Sequence, residues 1–171
     1  MLHRAIALYI IGTYSDNLLQ NCPVKDAQKF VQKFITRYNS EDFFSPKEKE
    51  FYDNPNPSQN EIGFICWRWE SLYVLLWCLG LIENIGIPKN PCEVFQCSRP
   101  FSKYRFTHDL TAAMKPRTAE EIIGKKDLVL CCMESEEKDS FDLGVITGWN
   151  NILDWILNND KEWDVITPPP Q

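Results

Sequence analysis

The chain has 171 residues, 44% of them apolar, and a formal net charge of −6. That length suits one soluble domain able to bury a core without staples, and the acidic balance argues against a nucleic-acid partner, whose phosphates demand a basic face. Seven cysteines, an odd number scattered from Cys22 to Cys132, do not read as a secreted disulfide framework and fit free thiols in a reducing cytoplasm.

The first residues, MLHR followed by AIALYIIG, mimic the charged and apolar regions of a signal peptide, but TYSDN comes next with no small-residue cleavage site. The other reading is a core helix from about Arg4 to Leu19, and a chain that opens directly in such a helix raises the expectation of a further segment upstream. Pro23 reads as a first-turn proline, and Val24, Ala27, Val31, Phe34 and Tyr38 then recur at helical spacing, predicting a surface helix with one buried face. Ser45, Pro46 and Glu48 form a capping box for a short helix near Phe51, after which DNPNPSQN breaks the chain.

Ser58 and Glu61 are a second capping box and open the longest predicted element, a central buried helix over about 59–82. From Ile62 onward apolar residues fall on every face, the pattern of a helix surrounded by protein. A membrane span is rejected because Arg68 and Glu70 leave only the stretch from Ser71 to Ile82 uninterrupted, whereas a span needs about 20 apolar residues.

Residues 83–110 read as a long irregular loop with three prolines and room for one short β-hairpin joining CEVFQC to KYRFT. Thr118 and Glu121 cap a further helix running through Ile122, Val129 and Met133, and the acidic loop ESEEKDSFD follows it. The last predicted helix shows Val145, Trp149, Ile152 and Ile156 on one side, and the prolines of WDVITPPPQ prevent any further helix. The fold class is mainly α: a single domain over 1–171, an irregular helical bundle around the 59–82 helix.

The motif Trp67-Arg68-Trp69-Glu70 followed by Leu75-Leu76-Trp77-Cys78-Leu79-Gly80-Leu81 resembles the signature of domain-of-unknown-function family 4272, a group of mainly bacterial proteins. Pro116-Arg117 with Glu121-Ile122-Ile123 and Asp127-Leu128, then Leu153-Asp154-Trp155-Ile156, then Trp163-Asp164 with Thr167, resemble its later motifs in the same order. The chain departs from the pattern at Leu130, Cys131, Met133 and Glu134, where the family carries a run resembling Tyr-Arg-x-His-Trp, and it opens at Arg4-Ala5, which sequence usually precedes. The resemblance implies a shared fold and no particular activity.

The candidates for chemistry are Arg68 and Glu70, with Arg117 and Asp127 beside them. Two residues apart on a helix means about 200° of rotation, so Arg68 and Glu70 leave on nearly opposite faces and each needs its own partner. Asp127, Asp154 and Asp164 are the expected partners of Arg68, and Arg4 and Arg117 those of Glu70. The tryptophans Trp67, Trp69, Trp77, Trp149, Trp155 and Trp163 read as core that could also wall a ligand pocket, each buried indole N–H needing an acceptor. No metal or cofactor is implied: Cys92, Cys97, Cys131 and Cys132 form no Cys-x-x-Cys pair, and His3 and His108 lie in no ligand motif. Neither a Gly-x-Ser-x-Gly elbow nor a glycine-rich phosphate loop is present.

One stretch stands out as a binding surface. Between Arg99 and Arg117, the cations Arg99, Lys103, Arg105, Lys115 and Arg117 are interleaved with Phe101, Tyr104 and Phe106 in an otherwise acidic chain. Arg beside aromatics is the composition of interface hot spots. The expected function is therefore a non-catalytic protein-interaction module, immunity- or antitoxin-like, in the cytoplasm, with another protein rather than nucleic acid or membrane as partner. The alternative is a small hydrolase-like or small-ligand-binding protein with its site around Glu70 and Arg117.

Overall fold

The computed structural model describes residues 1–135, 140–158 and 162–165. The middle of the acidic loop after Glu134 and the proline tail with Thr167 lie outside them. Helix α1 spans Leu2–Leu19 and is buried almost all round, with no exposure from Ala5 to Leu8. Helix α2, Val24–Tyr38, covers it with one apolar face, Ala27, Val31, Phe34, Ile35 and Tyr38 pointing inward. Pro23 stands at the N-cap of α2, one residue ahead of its first turn, and Asn39 closes the helix in a left-handed conformation. Helix α3, Pro46–Asp53, carries the Ser45–Glu48 capping box, with both reciprocal bonds formed.

The predicted 59–82 helix is two helices. Helix α4 spans Gln59–Cys66 behind the formed Ser58–Glu61 box, and α5 spans Arg68–Cys78. The break at Trp67 is slight: its dihedrals stay helical, and the Glu70 N–H donates to the Trp67 carbonyl at 3.1 Å, the tighter bond of a 3₁₀ turn. Helix α5 ends at Cys78 rather than Ile82 because Gly80 turns left-handed at φ +69°. A Cβ there would meet the Lys115 carbonyl oxygen at 2.0 Å, so only glycine lets the chain pass. The Lys115 and Arg117 N–H groups then bond the orphan carbonyls of Leu79 and Cys78, which ties the Pro116-Arg117 segment across the end of α5.

The expected loop over 83–110 is also corrected. It holds α6, Val94–Lys103, and α7, Thr107–Ala113, and among the described residues no strand or hairpin forms. Cys97 and Phe101 recur at helical spacing and are buried, with Phe101 stacked on Tyr9 of α1 at 4.1 Å. The Tyr38 hydroxyl bonds the Phe101 and Tyr104 carbonyls at 3.2 and 3.1 Å, closing the end of α6 against α2. Helices α8, Ala119–Glu134, and α9, Leu143–Leu157, pack on one another, and a 3₁₀ turn, Trp163–Val165, follows.

The centre is shared by α1 and α5. Helix α1 packs on α2, α4 and α5, while α5 also meets α6 and α9. They approach closely where the Trp69 ring of α5 lies over Gly12 of α1, whose added Cβ would stand 2.9 Å from the indole. The architecture is the mainly α, irregular bundle that the apolar patterning predicts. Among the described residues, no helix is long and apolar enough to cross a membrane.

Candidate functional site

Arg68 and Glu70 leave opposite sides of α5 and enter unlike surroundings. Arg68 faces α1, α3 and the 3₁₀ turn, its guanidinium 5.5 Å from the rings of Phe64 and of Trp163. Burial holds its pKa below the usual value, the neighbouring Arg4 adds to that, and the carboxylates of Glu48 and Asp164 oppose it. Glu48 is the partner that sequence reasoning missed, because its place in a capping box already accounted for it. It is fully buried, pairs with Arg4, and accepts from the Ser45 and Trp163 N–H groups, each at 3.0 Å. Asp164 lies where expected, near Arg68, and it also accepts from the Ser45 hydroxyl at 2.5 Å and the Lys47 N–H at 3.1 Å. Asp127 and Asp154 are elsewhere: Asp127 is exposed on α8, and Asp154 pairs with Lys126 at 2.7 Å.

Glu70, only 3% exposed, meets neither expected cation. Arg4 is taken by Glu48, and Arg117 pairs with Glu121 at 3.1 Å and donates to the Glu83 carbonyl at 2.6 Å. Its neighbours are N–H donors, one on each oxygen: the Cys92 backbone at 2.5 Å and the Trp149 indole at 2.9 Å. Burial pushes the carboxyl pKa up, these two donors and the Cys92 thiol pull it partway back, and Asp142 raises it further. A cavity of about 260 Å³ opens beside it, lined by Asp16, Cys66, Trp67, Trp69, Pro91 and Cys92 among others. Arg117 does not line this cavity, so the paired Glu70–Arg117 site expected from the sequence is not assembled.

The thiols of Cys66, Cys78, Cys92 and Cys132 are not poised for nucleophilic chemistry, which needs a lowered pKa. The Cys97 thiol, 3.7 Å away, raises that of Cys92, helped by burial and by Glu70. Burial lifts Cys66 to about 11 and Cys78 to about 12. Among the described residues no group of three or more His, Cys, Asp or Glu is placed to hold a metal ion.

The stretch read as a binding surface divides. Phe101 is core, not surface. Arg99, Lys103 and Tyr104 line a groove of about 520 Å³ along α6, together with Leu81, Ile82, Phe95, Glu83 and Glu93. Phe95 is 73% exposed and was hidden in the sequence by the expected hairpin; Phe106 is 51% exposed and stacks on His108. Arg105 is exposed between them. Trp77 is buried under the guanidinium of Arg117 and the ammonium of Lys125, and Trp155 meets Trp163 edge to face at 4.9 Å. A further cavity of about 430 Å³ lies between α3 and α4, where Lys47 is bonded to Asp164 and Glu61 to Ser58.

The profile of the family described as Domain of unknown function (DUF4272) matches residues 1–166. The chain belongs to the DUF4272 family. No curated protein and no solved structure matches it. The family-like motifs thus acquire places in this DUF4272 chain: Trp67-Arg68-Trp69-Glu70 joins α4 to α5, Trp77 and Gly80 build the end of α5, and Trp163-Asp164 seats the 3₁₀ turn on α3.

Proposed function

We propose that this DUF4272 protein is a non-catalytic interaction module that docks an acidic segment of another protein along the α6–α7 face. The observation that carries the reading is three exposed cations, Arg99, Lys103 and Arg105, that no acid pairs with among the described residues. Five cations stand between Arg99 and Arg117 against one acid, Asp109, in a chain of net charge −6. Beside them the exposed rings of Phe95 and Phe106 offer apolar anchors, and the α6 groove offers a place for an apolar side chain of the partner. Glu93 at the N-cap of α6 and Lys103 in its last turn set a polarity, so the partner's acidic residues belong at the Lys103 end.

An immunity- or antitoxin-like role is the narrower form of this reading, with the acidic partner segment belonging to an effector protein. The seven cysteines, all free thiols, support a reducing, cytoplasmic setting. The test is a selection of displayed peptides against the full chain and against an Arg99→Glu/Lys103→Glu variant. Selected peptides should carry Asp or Glu beside an apolar residue, bind more weakly as salt rises, and lose binding to the variant. Peptides without acidic residues, or with equal affinity for the variant, would contradict the reading.

A further inference from the structure

The cavity at Glu70 shares no lining residue with the α6 groove and stands on separate observations. Its two carboxylates, Asp16 on α1 and Glu70 on α5, have no cationic partner: neither enters an ion pair among the described residues, and no cation figures among the groups that set the proton affinity of either. Asp142, at the start of α9, adds a third negative charge within electrostatic reach of Glu70. The other titratable neighbours are thiols, Cys66 on α4 and Cys92 ahead of α6, both held protonated by burial and by their own hydrogen-bond partners or nearby acids.

The walls have chemistry of their own. Trp67 and Trp69 both line the cavity, and tryptophan is the aromatic residue that best faces a cation. Trp69 is 5% exposed, and its indole N–H stands beside the Asp16 carboxylate and lowers that group's pKa, but no acceptor meets it in good hydrogen-bond geometry. A buried donor left unmade is costly, and an arriving acceptor would satisfy it. Glu70 is meanwhile held still by the Cys92 and Trp149 N–H groups, so its carboxylate is oriented before any ligand arrives.

We infer that this cavity binds a small organic ammonium ion bearing a neutral oxygen acceptor, an amino alcohol in chemical class. The ammonium sits between Asp16 and Glu70 against the Trp67 and Trp69 faces, and the oxygen receives the Trp69 N–H. The volume, about 260 Å³, lies just below the roughly 300–1,000 Å³ of drug-sized sites and suits a small ligand.

The experiment is a titration of the full ¹⁵N-labelled chain with ethanolammonium and with choline, followed at the Trp69 indole N–H, with ethylene glycol as the uncharged control at matched ionic strength. A saturable shift with at least one ammonium ion, absent with the glycol, is expected. Asp16→Asn, which removes one charge from a half-buried position, should weaken binding about tenfold or more while leaving the circular dichroism unchanged. No saturable shift with either ammonium ion overturns the inference, as does an equal response to the glycol, undiminished binding by Asp16→Asn, or a response to zinc alone. The comparison of ammonium with glycol on the parent chain decides the question even if the variant misfolds, and no outcome depends on the peptide partner of α6.

Discussion

Glu70 shows how a single carboxylate can be satisfied by hydrogen bonds and still be electrostatically unfavourable. Each oxygen holds an N–H, yet burial keeps its pKa above the usual value of 4.5. The folded protein therefore holds a proton there more tightly than the unfolded chain. The associated stability is fully present below pH 4.5 and is lost as pH rises through the elevated folded value. Glu70→Gln lacks that loss, so the parent's stability relative to the variant should fall as pH rises from 4.5 toward neutrality, measured by urea unfolding at a series of pH values. A flat difference would mean that the carboxylate titrates as if exposed. Gly80 makes the second residue-scale prediction. Gly80→Ala puts a side chain into a left-handed turn and onto the Lys115 carbonyl, so it should cost well over about 1 kcal/mol and lower the thermal midpoint accordingly. An unchanged midpoint would mean that the Lys115 segment is free to move aside. The sequence disclosed that Arg68 and Glu70 are buried and on opposite faces and named Asp164 for Arg68, but it offered neither Glu48 nor the N–H donors of Glu70. Asp127 and Arg117 are as charged as Glu48, and only the packing of α3 under α1 selects between them.

At the scale of elements, the C-terminal 3₁₀ turn works as a clasp. Asp164 sits over the first turn of α3, accepting from the Ser45 hydroxyl and the Lys47 N–H, where a negative charge suits the helix dipole. Trp163 donates to Glu48 beneath it, with the Arg4 guanidinium 4.6 Å from its ring. Asp164→Ala should cost about 1 kcal/mol and speed hydrogen exchange at Lys47 while leaving α8 and α9 unaffected. Equal protection at Lys47 in parent and variant would show that the clasp does not hold α3. Capping boxes made three helix starts readable, at Ser45, Ser58 and Thr118, because their chemistry is local. Helix α6 was illegible for the same reason. Its N-cap Glu93 makes no side-chain cap, Pro100 lies inside it, and its end is closed by a distant hydroxyl, that of Tyr38. The end of α5 was misplaced by four residues because Gly80 and its contact with Lys115 are tertiary facts.

Across the whole molecule, α1 and α5 form one shared axis with two unlike sides. On the Arg68 side, α1, α3, α5 and the 3₁₀ turn meet in a buried network of Arg4, Glu48, Arg68 and Asp164 around Trp163. On the Glu70 side, α1, α5 and the chain before α6 leave an uncompensated carboxylate at a cavity. The Trp-Arg-Trp-Glu motif thus divides its labour, the arginine fastening the fold and the glutamate facing a cavity. Unfolding free energies of Glu48→Gln and Glu70→Gln, measured side by side with the parent at neutral pH, test that division most directly. Breaking the buried network should cost about 3–5 kcal/mol in Glu48→Gln, a fall of roughly 6–20 °C in midpoint for a chain of this size. Glu70→Gln leaves one N–H facing an amide and should cost no more than about 1–3 kcal/mol, offset by relief of the buried charge. A loss in Glu70→Gln equal to or greater than that in Glu48→Gln would contradict the division and make Glu70 a fastening of the core.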